Sequence, residues 1–203
     1  MTESYYKLCL QELEKLKNRP HILLHSCCAP CSSWVITFLT KYFDITILYY
    51  NPNISPIEEY EKRKAEQIRL INEIEHEGKI DIIDCDYDND IYESRIKGYE
   101  KCQERGERCT ICFNLRLEKS AMIAKENNFD YFCSTLTVSP YKNAKLINEI
   151  GAELGKKYQV KWLYSDFKKN DGYKKSIELS KQYNLYRQDY CGCIYSKRKN
   201  VLD

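Results

Sequence analysis

The chain has 203 residues, eleven cysteines and a formal net charge of +2, and no apolar run in it approaches the ~20 residues that a membrane-spanning helix requires, which excludes an integral membrane protein. Met1 to Asn18 mixes Glu, Lys, Tyr and Leu without the apolar centre or the cleavage site of a secretory signal, so a cytoplasmic location is expected. In that reducing compartment thiols stay free, and an odd set of eleven points to metal or redox chemistry rather than to a disulfide framework.

One domain over 1–203 is expected, since a chain of this size buries roughly 70% of the surface its unfolded form exposes. Residues 3–17 carry Tyr6, Leu10, Leu13 and Leu16 at helical spacing, ended by Asn18 and Pro20, so 1–18 reads as an N-terminal helix. His21 to Ser26 is a short apolar strand. Cys27, Cys28 and Cys31 follow it, and SSWVITFLTKYF reads as a helix beginning near Pro30. Asp44 to Tyr50 is a β-branched and aromatic strand closed by the turn Asn51-Pro52-Asn53. Ser55 as N-cap, Pro56 at the first helical position and Glu58 three residues after the cap predict a helix running to about Glu77. Lys79 to Asp84 is the third strand, Tyr87 to Gly98 a helix, and Tyr99 to Arg108 an exposed connection. Phe113 to Asn127 is helical, with Cys109-x-x-Cys112 at its N-terminal end. Asp130 to Ser134 is the fourth strand, Ser139-Pro140 opens a helix ending near Gly155, Val160 to Tyr164 is the fifth strand, and Gly172 to Tyr183 is a C-terminal helical segment. Strands alternating with helices of this length predict an α/β fold with a mostly parallel, doubly wound sheet.

Ligands of such sheets bind outside the carboxyl ends of the strands, which is where Cys27, Cys28 and Cys31 fall. Thiols at a helix N-terminus have lowered pKa values and tend to the thiolate form that binds metal. Cys109-x-x-Cys112 adds a second pair with metal-ligand spacing, and Cys191-Gly192-Cys193 a third, whose glycine lets the backbone wrap closely around an ion. One zinc uses four ligands, so seven grouped thiols point to a polynuclear iron-sulfur site or to two neighbouring metal centres. Cys9, Cys85, Cys102 and Cys133 stand alone and read as core hydrophobes. His25 reads as a hydrogen-bonded core histidine, with contact to a metal ligand as the alternative. With seven glycines and no Gly-rich loop, no phosphate-cradling turn is found, and ATP or NAD is not expected as a tightly bound cofactor. From Lys168 to Asp203 nine basic residues face four acids, which leaves the rest of the chain at −3. That segment, 166–203, is read either as a solvated face or as an RNA-binding tail.

The blocks LLHSCCAPCSS (Leu23 to Ser33), YYNPNISPIEEYEKR (Tyr49 to Arg63), RCTICFNLRL (Arg108 to Leu117), STLTVSPYKN (Ser134 to Asn143), DFKKNDGY (Asp166 to Tyr173) and YRQDYCGCIYS (Tyr186 to Ser196) together resemble the epoxyqueuosine reductase family of the QueH type. The resemblance covers almost the whole chain after the first helix and includes all seven grouped cysteines. It implies a fold like that of the adenine nucleotide alpha hydrolases, of the HUP or Rossmann-like kind, with 166–203 completing the cysteine site. The implied reaction is reduction of the epoxide of epoxyqueuosine to queuosine at the wobble position of tRNA, with an iron-sulfur cluster beside a further metal ion.

Deoxygenation of an epoxide to an alkene takes two electrons and two protons and releases water. A [4Fe-4S] cluster passes single electrons, and an adjacent iron or other divalent ion acts as a Lewis acid. Cys27, Cys28, Cys31, Cys109, Cys112, Cys191 and Cys193 are the expected ligands, with their division between the two metals left open and Asp86 available to complete the set. Tyr190, beside the Cys-Gly-Cys, and Asp86 are the expected catalytic residues, Tyr190 being the first to test as proton donor. Asn51, Asn53, Tyr60 and Arg63 are expected to hold the modified base or its ribose, although the Asn-Pro-Asn turn needs no more than turn chemistry. Lys142, Arg187 and Gln188 read as RNA contacts. The expected partners are a tRNA anticodon stem-loop and an external electron donor, with no membrane. Two rivals remain: a tRNA sulfur transferase on the same fold, which requires ATP, and a zinc-stabilised RNA-binding domain without catalysis.

Overall fold

The computed structural model describes residues 4–197. The start of the expected first helix and Arg198, Lys199 and Asp203 of the basic segment lie outside the described residues. Strands His21–His25 (β1), Asp44–Tyr49 (β2), Ile80–Asp84 (β3), Tyr131–Ser134 (β4) and Lys161–Trp162 (β5) form one sheet in the order β3-β2-β1-β4-β5, with every pairing parallel. That is the Rossmann-like order, with β1 at the centre. Ile22, Leu23 and Leu24 of β1 are fully buried, because helices cover both sides of the strand. Leu24 stands opposite Ile47 on one side and Cys133 on the other.

Among the described residues seven α-helices complete the fold: Tyr5–Glu14 (α1), Ala29–Leu39 (α2), Ile57–Glu73 (α3), Asn89–Arg95 (α4), Glu107–Glu126 (α5), Ala144–Tyr158 (α6) and Gly172–Gln182 (α7). Helix α2 packs against α3 and α7, while α5 packs against α6, β1 and β4. No described helix is long and apolar enough to cross a membrane. Cys9 and Leu13 are the buried residues of α1, and Glu12 on the same helix accepts a hydrogen bond from the Tyr131 hydroxyl at 2.7 Å, which ties α1 to β4.

Several element boundaries differ from the sequence expectation, for identifiable reasons. The expected cap at Ser55 is not formed. Pro56 is the N-cap of α3, while the backbone N–H of Ser55 donates to the Gly192 carbonyl at 2.9 Å and its carbonyl accepts the Tyr190 hydroxyl at 2.8 Å. The helix ends at Glu73, four residues short of the expected Glu77. Ser139 does not start α6 either. The segment Thr135–Val138 is a 3-10 turn, and Asn143 caps α6 by accepting the Leu146 N–H at 3.2 Å. Helix α5 begins six residues before the expected Phe113, and β5 shrinks to two residues.

Gly151 of α6 is required by packing, since a Cβ placed there would lie 2.3 Å from the Trp162 indole. Gly151→Ala is expected to cost about 1–3 kcal/mol through overpacking, read as a fall of several degrees in thermal melting; an unchanged melt would show that the indole yields freely.

Candidate metal centre

In the sheet, β1 and β4 are neighbours, with His25 in register with Ser134, but the chain leaves them toward different helices. The crevice at this switch point is the natural ligand site of the fold. His25 is fully buried there, its ring nitrogens 2.8 Å from Ser134 Oγ and 3.1 Å from the Tyr50 carbonyl. Nε2–H donates to the carbonyl and Nδ1 accepts from the hydroxyl, a tautomer fixed by a partner that only accepts. Burial, with the positive charge of Arg116, holds its pKa down to about 3, so it is a neutral tie between strand ends, as the sequence suggested.

Cys27 leaves β1, Cys28 is the N-cap of α2 and Cys31 lies in its first turn. Their three Sγ atoms lie within 4.8 Å of one another, and Cys27 and Cys28 Sγ are 3.8 Å apart. Only Cys27 has a lowered pKa, through hydrogen bonds from Cys28 and Cys31 and, after the opposing effect of burial, the charge of Lys142. Cys28 is pushed up to about 12, chiefly by its bond to Cys27, and Cys31 is raised for the same reason. The expectation of three lowered thiols is thus corrected: thiols this close cannot all ionise without a cation among them. Thr135, from the β4 side, accepts the Cys27 N–H at 3.2 Å and reaches its Sγ at 3.5 Å. Beneath the triad, Ser26 and Ser32 hydroxyls both donate to Gln67 Oε1, at 2.7 and 2.8 Å, and Asn51 Nδ2 donates to the Ser26 carbonyl at 2.8 Å.

The other four grouped cysteines face one cavity. Cys109, Cys112, Cys191 and Cys193 line it together with Tyr92 and Arg116. The early start of α5 places Cys109 and Cys112 in its first turns, where Arg108 anchors the helix by donating to the carbonyls of Tyr99, Glu100 and Cys102. The expected exposed connection therefore ends on a buried arginine, at 2% exposure. Cys109 Sγ accepts the Arg105 N–H at 3.2 Å, and Cys193 Sγ accepts the Tyr92 hydroxyl at 3.0 Å. Burial pushes the Cys112 thiol up to about 12. Among the described residues, the Cys27 triad is the only set of three ligand atoms gathered within 4.8 Å, so the four thiols of the quartet are spaced more widely.

Cys191 and Cys193 sit on a segment without regular structure, and α3 holds it. Arg63, 2% exposed, donates from Nε to Glu59 at 2.6 Å and from its two Nη atoms to the carbonyls of Cys191 and Tyr190, each at 3.4 Å. Glu66 accepts the Tyr186 N–H at 2.6 Å, and Arg69 donates to the carbonyls of Tyr183 and Asn184 at 3.0 and 3.2 Å. These α3 residues recur at helical spacing, so one polar stripe fixes the whole segment 183–192. Gly192, at φ 108, is needed for this contact: a Cβ there would lie 2.8 Å from Ile54 and 3.1 Å from Arg63.

The remaining predicted residues are placed as follows. Asn53 and Tyr60 are buried, Tyr60 donating to the Cys85 carbonyl at 3.2 Å. Asn51 Oδ1, both amide atoms of Asn53 and Gln188 Oε1 are buried without a hydrogen-bond partner. Gln188 lies beside Cys28. Arg187 is exposed, donating to Ser180 at 3.2 Å. Asp86 is exposed after β3 and is not among the cavity's lining residues. Lys142 is half-buried and lines the cavity, its ammonium kept charged against burial by Cys27, Cys191 and Cys31. Of the lone cysteines, Cys9 and Cys133 are core residues, whereas Cys85 and Cys102 are only partly buried. Sequence reasoning missed Tyr92, Arg108 and Arg116. The spacing of Cys109, Cys112 and Arg116, which puts them on one helical face, was the available signal for the last.

The sequence model of the family described as Epoxyqueuosine reductase QueH matches residues 22–199. Relatives named Epoxyqueuosine reductase QueH include that of Streptococcus pyogenes serotype M1, 42% identical over 94% of this chain and 75% of its own length. That of Staphylococcus epidermidis is 44% identical over 96% of this chain and 83% of its own. The protein of Thermotoga maritima is 33% identical over 86% and 89%.

Proposed function

The chain belongs to the epoxyqueuosine reductase QueH family and reduces epoxyqueuosine to queuosine in tRNA, and on that premise we propose that its seven grouped cysteines form one metal-binding domain holding a [4Fe-4S] cluster and a further metal ion. The observation that carries this is that three cysteine segments far apart in sequence, none of them disulfide-bonded, meet around Lys142, which lines the quartet's cavity and feels the charge of Cys27 and Cys31 as well as Cys191. A metal–thiolate bond of about 2.3 Å in a tetrahedral shell puts neighbouring sulfurs just under 4 Å apart. The 3.8 Å between Cys27 and Cys28 suits a single ion on the triad, and the wider quartet suits the cluster. Loaded, the cluster supplies single electrons from an external donor and the ion supplies Lewis acidity.

The chain's own groups bind, orient and protonate. Tyr190 is the proton donor we assign. Burial raises its pKa, so it carries its proton; it stands next to Cys191 on the quartet's loop, and its hydroxyl donates to the Ser55 carbonyl that precedes α3. Lys142 acts as a fixed positive charge at the cavity rather than as an RNA contact. Asp86 is assigned no step, because it is exposed and neither lines the cavity nor adjoins one of the seven grouped cysteines, as Tyr190 does. The unpartnered amide atoms of Asn51, Asn53 and Gln188 are the groups that a bound base or ribose would satisfy, while Arg63 and Tyr60 support them from behind. RNA approaches at Tyr141, 61% exposed, and Arg105, whose guanidinium lies 5.5 Å from that ring.

The test is anaerobic turnover of an anticodon stem-loop carrying epoxyqueuosine, with a chemical reductant and no ATP. Queuosine is the expected product, and a strict ATP requirement would overturn the reading. On the basic segment, Lys175 stacks on Trp34 at 4.3 Å and Lys174 pairs with Glu178 at 4.0 Å. If this face and Arg187 contact the RNA backbone, binding falls with salt at a log-log slope of roughly −0.7 per phosphate contact. Lys174→Ala/Lys175→Ala is expected to weaken binding and flatten that slope; identical salt curves for variant and parent would remove the segment from the RNA site.

A further inference from the structure

We propose that Arg116 is a positioning residue for the cysteine quartet, its buried guanidinium supplying the fixed positive charge and the free Nη2 donor that stabilise the negative charge added when a cluster held there is reduced. The inference rests on the cluster reading above. Arg116 is 1% exposed, and its Nε donates to the Cys112 carbonyl at 3.3 Å. Its Nη2 is buried without a partner, and no carboxylate forms an ion pair with it among the described residues. An uncompensated buried charge costs several kcal/mol, so a guanidinium in this position calls for an anion nearby. The groups within reach that become anions on binding a metal are cysteines: Cys112, whose carbonyl Arg116 already holds, and Cys109, Cys191 and Cys193, which line the same cavity. Arg116 also lines the quartet's cavity and follows Cys109 and Cys112 on one face of α5.

A cluster with four thiolate ligands is already anionic, and a one-electron reductant adds one further negative charge. In a low-dielectric site, hydrogen bonds to sulfur and nearby net charge set the reduction potential. A cation that favours the reduced form raises that potential, and its removal lowers it. A purely structural arginine would change stability and leave the potential of loaded protein alone.

The experiment is an anaerobic potentiometric titration of reconstituted protein with dithionite, followed by electron paramagnetic resonance and preceded by iron and sulfide analysis. Arg116→Gln is expected to lower the reduced-to-oxidised ratio at a given potential at least tenfold, a downward shift of about 59 mV for one electron. Arg116→Lys, which keeps the charge, is expected to stay near the parent. A loaded glutamine variant with the parental midpoint overturns the inference. If the glutamine variant holds no sulfide, the lysine variant is expected to restore both loading and midpoint, and its failure to do so overturns the charge assignment. Parent protein without sulfide would instead overturn the cluster reading.

Discussion

Alanine at Cys112 or Cys193 is expected to remove acid-labile sulfide and visible absorption from the anaerobically purified protein and to abolish epoxide reduction, whereas alanine at Cys28 is expected to abolish reduction with most of the sulfide retained. The difference follows from the two kinds of thiol grouping. Three sulfurs within 4.8 Å fit around one ion, and the four that share the cavity of Tyr92 and Arg116 are too far apart for that. Parent protein should hold more than four irons and about four sulfides per chain, the stoichiometry of one [4Fe-4S] cluster and a further ion. Cys9→Ala serves as the control. Cys9 is 1% exposed in the core between α1 and the sheet, and burial pushes its thiol up to about 12, so the variant should lose a degree or two of melting temperature and no iron. Stoichiometric zinc without sulfide in the parent would refute the whole assignment, and sulfide loss in Cys28→Ala equal to that in Cys112→Ala would refute the division between the two groups.

Arg63→Met is the second large effect expected. Arg63 pairs with Glu59 at 2.6 Å in a nearly solvent-free position and holds the carbonyls of Tyr190 and Cys191. Removing one partner of such a buried pair typically costs about 3–5 kcal/mol, because the other charge is left behind. The lost hydrogen bonds also free the loop that carries two of the four quartet thiols. The variant should therefore be both less stable to urea and poorer in iron. Arg63→Lys should recover little of either, since one ammonium cannot reproduce the three-way fork. A double variant that also removes the acid, Arg63→Met/Glu59→Gln, separates the effects: stability should return in part while the iron deficit persists. Full iron content in Arg63→Met would show that the cysteine loop is held by other contacts.

The elements of the sheet were legible in the sequence because their causes are local. His21 to Ser26, Asp44 to Tyr50 and Asp130 to Ser134 are apolar or β-branched runs between turn residues, and each became a strand within a residue of the expected ends. The errors fell where local signals competed with distant ones. Ser55-Pro56 has the composition of a helix start, but the backbone of Ser55 is taken by Tyr190 and Gly192, more than 130 residues away. Ser139-Pro140 looks like another start, yet the chain first makes the 3-10 turn that brings Thr135 onto Cys27, and Asn143 then takes the cap.

By itself the sequence determined the alternation of strands and helices, the parallel sheet that follows from it, and the sorting of cysteines into three groups, since periodicity, turn chemistry and short spacings are properties of neighbouring residues. Which groups come together was decided by the tertiary structure. The triad is closed by the geometry of one strand-to-helix turn, whereas the quartet exists only because α3 clamps the segment carrying Cys191 and Cys193 against the start of α5. The same is true of the charges: Lys142 reads from the sequence as an RNA contact and Arg116 draws no reading at all, whereas packing places both in the lining of the cavity that holds Cys109, Cys112, Cys191 and Cys193. Contacts of this kind join residues tens to more than a hundred positions apart, and no pattern within either segment specifies them.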